Sequence, residues 1–125
     1  MPLTITIESN VGELTVTFAG VYTFTELKDL IEVIKAAADR AGCDRALLDA
    51  RDVAGQMTES EKFFVGSNIA EVFGSKLKAA IVMRPGDVTK MGEMAAVNRG
   101  ARILVTESYD DAAAWLQNSR QQTTA

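Results

Sequence analysis

Histidine is missing from this 125-residue chain altogether, and cysteine occurs once, at Cys43. The first absence removes the side chain most often used as a general base and the commonest metal ligand. The second rules out an internal disulfide and gives no sign of an oxidising compartment. Basic charge is also in short supply, with 13 Lys and Arg against 17 Asp and Glu. A net charge of −4 argues against a nucleic-acid partner or a membrane-surface protein, both of which want a basic face. No stretch approaches the roughly 20 apolar residues of a membrane span, so no integral membrane insertion is expected. The N-terminal MPLTITIE has neither the basic nor the apolar segment of a signal peptide. The motifs GxGxxG, GxxxxGKS/T, CxxC and HExxH are all absent, so no cofactor is expected. The expectation is a soluble cytoplasmic protein.

What is present reads as one domain over residues 1–118, followed by a polar tail at 119–125. Hydrophobic residues make up 47% of the chain and charged ones 24%, which suits a globular fold with its own core. Residues 3–8 (LTITIE) and 13–18 (ELTVTF) alternate with period two. Leu3, Ile5, Ile7, Leu14, Val16 and Phe18 take one face, and threonines take the other. Turn residues Ser9 to Gly12 between them predict an antiparallel hairpin with one wet face. Thr23 followed by Glu26 is a capping box, and the stripe from Leu27 through Ile31, Ile34 and Ala38 continues that helix to Gly42. A short apolar strand follows at 45–50. Thr58 and Glu61 form a second capping box, for a helix running to Gly74. A strand at 77–83, a helix ending at Asn98-Arg99-Gly100, a strand at 102–106 and a helix capped by Ser108 complete the chain. The order β-β-α-β-α-β-α-β-α predicts an α/β fold. Its mixed five-stranded sheet starts with the hairpin and continues in right-handed βα units.

In such sheets ligands sit beyond the carboxyl ends of the strands. Those ends offer Asp49, Arg51 and Asp52, then Arg84, Pro85, Gly86 and Asp87, with Lys90 in the next helix. Arg51, Arg84 and Lys90 could grip a carboxylate or phosphate, because guanidinium presents paired donors matching either anion. The opposing reading is structural: Asp87 sits as an N-cap and Pro85-Gly86 is ordinary turn chemistry. Cys43 follows a helix C-terminus, has no histidine anywhere to activate it, and reads as inert. Phe63 and Phe64 are adjacent on one helix, so only one can share its core stripe, and the other packs on a flank or lines a pocket or interface. The methionines read as filler or as an adaptable pocket mouth.

The hairpin, the run LLDARDVAG and the long stretch from Ala80 to Leu116 resemble the small SpoIIAA-like proteins. These form a bacterial group that shares the fold of STAS domains and is related to CRAL/TRIO lipid-binding domains. The resemblance covers nearly the whole chain, and its most specific parts are Arg84 to Gly100 and Asp111 to Leu116. It implies a STAS-type fold and little about activity. STAS regulators of sigma factors carry a phosphorylatable Asp-Ser pair after the third strand. This chain has Asp49-Ala50-Arg51-Asp52 there, and Thr58 reads as a helix cap flanked by acids, against a phospho-switch at Thr58 or Ser60.

Three functions follow as expectations. The first is a non-catalytic module binding a small amphiphilic or anionic molecule, with Asp49, Arg51, Arg84 and Lys90 at its site. The second is a STAS-type protein-interaction regulator. The third is an enzyme using Asp49 with an arginine, disfavoured because no nucleophile has a visible base. A homodimer is also expected, because Leu47, Ala80, Val82 and Leu104 would form an apolar patch beside the threonine face. The competing arrangement folds the last helix, with Ala112, Trp115 and Leu116, over that patch.

Overall fold

The computed structural model describes residues 3–54, 58–84 and 90–117. The alternating N-terminal segments pair antiparallel as β1 (Thr4–Asn10) and β2 (Glu13–Val21). Asn10 lies opposite Glu13, so Val11 and Gly12 alone make the turn, with Gly12 at φ 75°. That value is open to glycine without steric cost.

Both capping boxes form as the sequence predicts. Thr23 Oγ1 accepts from the Glu26 N–H and the Glu26 carboxylate accepts from the Thr23 N–H, opening α1 (Phe24–Ala41). Gly42 closes it in the left-handed region at φ 70°. Thr58 and Glu61 repeat the arrangement at 3.1 and 2.9 Å, opening α2 (Glu59–Phe73). Replacing Thr58 with alanine should lower stability by about 1 kcal/mol, as loss of an N-cap acceptor typically does. Urea unfolding of the variant should shift its midpoint without changing its slope.

The remaining elements are β3 (Arg45–Ala54), β4 (Lys78–Val82), α3 (Lys90–Val97), β5 (Ile103–Thr106) and α4 (Tyr109–Gln117). The strands lie in the order β1-β2-β3-β4-β5, with every pair after the hairpin parallel. The third strand runs four residues past the expected end at Ala50. Its register explains the difference. Thr17 pairs with Asp49, but Ala19 pairs with Asp52, so β3 carries one extra residue there. That bulge keeps the charged Arg51-Asp52 in a strand that composition alone reads as loop. Asp87, Pro85, Gly86, Met57 and the tail from residue 118 lie outside the described residues.

The sheet has helices on both sides. Leu14, Val16, Phe18, Ala46, Leu48, Ala79 and Ile103 face Ile31, Ile34, Ile69, Phe73 and Ala96 of α1, α2 and α3. On the reverse face Leu47, Ala80 and Val82 pack against Ala112 and Leu116 of α4, with Trp115 beside them. The covering helix, the competing arrangement to a dimer face, is present on Leu47, Ala80 and Val82. The chain's own last helix occupies the apolar patch, and the uncovered part of that face is the Thr4, Thr6 and Thr17 surface, which is exposed. Among the described residues, no helix is long and apolar enough to cross a membrane.

Candidate functional site

A cavity of about 170 Å³ lies between the sheet and the layer formed by α1, α2 and α3. Phe18, Leu48, Ile81, Ile103 and Val105 form its sheet wall. From α1 come Leu27, Leu30, Ile31 and Ile34, and from α2 come Val65, Gly66 and Ile69. Val53 and Met83 lie beyond the middle of their strands, so the cavity reaches the carboxyl end of the sheet. The bulge matters here. Ala50 and Val53 are three residues apart, which strict alternation would place on opposite faces, yet both line the cavity.

Among the described residues of the lining, only Tyr22, Lys62 and Glu93 have polar side chains. Lys62 extends its Nζ to 3.5 Å from Glu59 Oε1, so its methylene stem faces the cavity while its charge leans outward. Glu93 Oε2 accepts from the Val105 N–H at 2.6 Å. The fifth strand is a sheet edge, and the carbonyls of Thr106 and of Arg102 just before it accept from the β4 side, which turns the Val105 N–H outward. The Glu93 carboxylate thus covers an edge amide while contributing one negative charge to the cavity wall.

The charged residues singled out from the sequence lie elsewhere. Asp49 and Arg51 are on the α4 face, where the Arg51 guanidinium sits 5.1 Å from the Tyr109 ring centroid. Asp49 Oδ1 accepts from Arg51 Nε at 2.9 Å and Oδ2 from Nη2 at 2.7 Å, a two-pronged pair. Asp49 pairs in register with Val82, the last residue of β4, so Arg51 lies further along β3 and Arg84 just beyond the end of β4. Met83 lines the cavity, and Arg84 follows it just past the end of β4. Lys90 begins α3, on the opposite side of the sheet. The structure therefore brings Asp49 and Arg51 together, puts Arg84 at the same sheet end, and does not place Lys90 on their face.

The Arg51 hydrogen bonds hold the Asp49 carboxyl below its ordinary value, against a smaller upward push from burial. A depressed folded pKa contributes stability that is present above the unfolded value, about 3.9, and lost as pH falls through the folded value. Asp49→Asn should therefore soften the loss of stability between pH 5 and the acid limb, about where such a carboxylate titrates. The change should be modest, because the Arg51 side chain is 47% exposed and solvent screens the pair. Urea midpoints for both proteins across that range would check it.

Sequence reasoning missed three residues. Glu93 and Tyr109 gave no signal beyond their types. Lys78 did give one, as the lone charge in the apolar run LKAAIVM. Its side chain is fully buried, with Nζ donating to the Trp115 carbonyl and lying 4.4 Å from the Trp115 ring centroid. Burial, then the nearby Arg102 and Arg45 charges, push its ammonium pKa down. Phe63 and Phe64 also depart from expectation, for both are exposed, at 39% and 59%. The core positions of α2 are Gly66, Ile69, Ala70 and Phe73 instead. Cys43 is buried, as befits an inert thiol. Among the described residues no group of His, Cys, Asp or Glu is placed to hold a metal ion.

No protein-family model matches the chain, and no curated protein matches it significantly. Solved structures do. An anti-sigma factor antagonist from Mycobacterium paratuberculosis is similar with a TM-score of 0.64 at 14% identity, over 93% of this chain and 95% of that one. An uncharacterised protein of the DUF3478 family from Shewanella loihica, with a SpoIIAA-like fold, is similar with a TM-score of 0.55. There the identity is 19%, covering 91% of this chain and 93% of that one. At these identities the likeness establishes the fold alone: this chain has a SpoIIAA-like fold.

Proposed function

We propose that the chain is a non-catalytic binding module that holds a small amphiphilic molecule between its sheet and its α1–α2 layer. The observation that carries this reading is the apolar cavity reaching the carboxyl end of the sheet, the end where open α/β sheets take ligands. Asp49 and Arg51 on the far face, with Arg84 at the same sheet end, would meet the polar part of a ligand that emerges from the cavity. Lys90 would contribute from α3. A wholly anionic ligand is less well served, because Asp49 already occupies the Arg51 fork. Mass spectrometry of the native protein recovered from its own host tests the reading. A stoichiometric small molecule that survives gentle ionisation is the expected result, and its consistent absence would count against the module.

A second reading has its own observation. Phe64 on α2 lies edge-on to Phe24 and Phe63, with ring centroids 6.5 and 6.2 Å apart. Met94 and Val97 of the adjoining α3 are also exposed, and Arg99 lies over the Phe63 ring. Exposed aromatics on α2 beside exposed apolar side chains of α3 suit a protein partner, as the likeness to an anti-sigma factor antagonist suggests. In that case the same spectrum would show a bound protein, lost after Phe64→Ser.

A further inference from the structure

The geometry points to a ligand whose buried part is compact and uncharged, one ring or a short branched group, and excludes a long acyl chain; this rests on the cavity being the binding site. Size is the first argument. Pockets for drug-sized ligands run from about 300 to 1,000 Å³, and this cavity holds about 170 Å³. An engineered apolar cavity of about 150 Å³ in another protein stays dry and binds benzene or xenon. The match is to a guest of that size.

The second argument is how the space arises. Two small residues leave it open from opposite walls: Ala50 on the sheet and Gly66 on α2. Larger side chains close the rest, with Phe18 and Ile103 on the sheet and Ile31 and Ile69 on the helices. Their burial is close to complete, between 5% and 6% exposed. Where side chains pack that closely, protein interiors do not stretch cheaply to admit a longer guest. The third argument is charge. An ion taken into an apolar space is strongly penalised unless paired. Of the polar residues on the wall, Lys62 leans to Glu59 and Glu93 already accepts from the Val105 N–H. A hydroxyl or ring N–H of the guest could still reach the wall as a handle, whereas a carboxylate belongs outside, at the rim.

The test is titration of the whole protein with phenol, indole, octanoate and dodecanoate, followed by calorimetry and by the methyl NMR signals of Ile69 and Ile81. Two variants accompany it: Ala50→Leu, which fills the hollow from the sheet, and Val65→Phe, which fills it from α2. Phenol and indole should bind one to one and shift both methyl signals. Each filling variant should weaken that binding at least tenfold without lowering the melting temperature. Dodecanoate should bind at least tenfold more weakly than indole. Equal or tighter binding of dodecanoate, blocked by either variant, would overturn the size limit while leaving the cavity as the binding site. If no compound moves the Ile69 and Ile81 methyl signals, the binding reading itself fails, and this inference with it.

Discussion

Replacing Leu116 with alanine should lower stability by about 2–5 kcal/mol, the range for emptying a closely packed leucine site. Leu116 is fully buried, and together with Ala112 it seats α4 on Leu47, Ala80 and Val82. Few other apolar contacts hold that helix. Trp115 and Ala113 are only half-buried, and Tyr109 at its start is exposed. Loosening α4 uncovers Leu47, Ala80 and Val82 at the centre of the sheet, and such a patch seeks another surface. The variant should therefore self-associate more strongly than the parent protein. Sedimentation at several concentrations would show it, alongside the shift in urea midpoint. A destabilised variant that sediments as the parent does would mean that α4 is not what shields this face.

The second large effect concerns Lys78. An ammonium fully buried beneath Trp115, between the rows of Arg45 and Arg102, costs free energy that one carbonyl acceptor and one ring face only partly offset. Methionine has a similar shape and no charge. Lys78→Met should raise stability at pH 7 by about 1–3 kcal/mol, as when apolar residues replace buried charges. The sign of the pH effect is fixed. Because the folded pKa is lowered from 10.5, the unfolded chain binds more protons between the two values. Stability therefore rises with pH through that window and is at its lowest, on this account, below it. Each unit of depression is worth about 1.4 kcal/mol. The parent protein should gain stability between neutral pH and the unfolded lysine value, and Lys78→Met should lack that gain. A variant less stable than the parent, with the same pH slope, would show that the contacts with Trp115 outweigh the burial.

Much of the fold was legible because it is written in local chemistry. Thr23 with Glu26 and Thr58 with Glu61 name their helices without reference to anything distant. The Thr/Ile alternation of LTITIE names its strand in the same way. The tertiary features were harder. The extra residue in β3 comes from its pairing with β2, and nothing within Arg51-Asp52 announces a strand. The choice between a dimer face and a covering helix depended on where α4 lands. Its Ala112 and Leu116 spacing permitted either outcome. The cavity was the least visible feature, for a hollow is a place where side chains fail to meet. Its traces in the sequence were one alanine at the end of the expected strand and one glycine inside a helix, and both have commoner explanations. The reading of Arg51, Arg84 and Lys90 as an anion grip, with Asp49 beside them, did not foresee that Asp49, two residues before Arg51, takes its fork.

The account turns on the space between Ile69 and Ile81 being a true cavity that admits an apolar guest. Diffraction from a crystal pressurised with xenon measures this directly. The prediction is a xenon atom under α2, within contact of Ile69, Ile81 and Ile103, in the parent protein and none at that place in Ala50→Leu. A parent crystal in which those side chains close on one another, with no xenon between them, would contradict it.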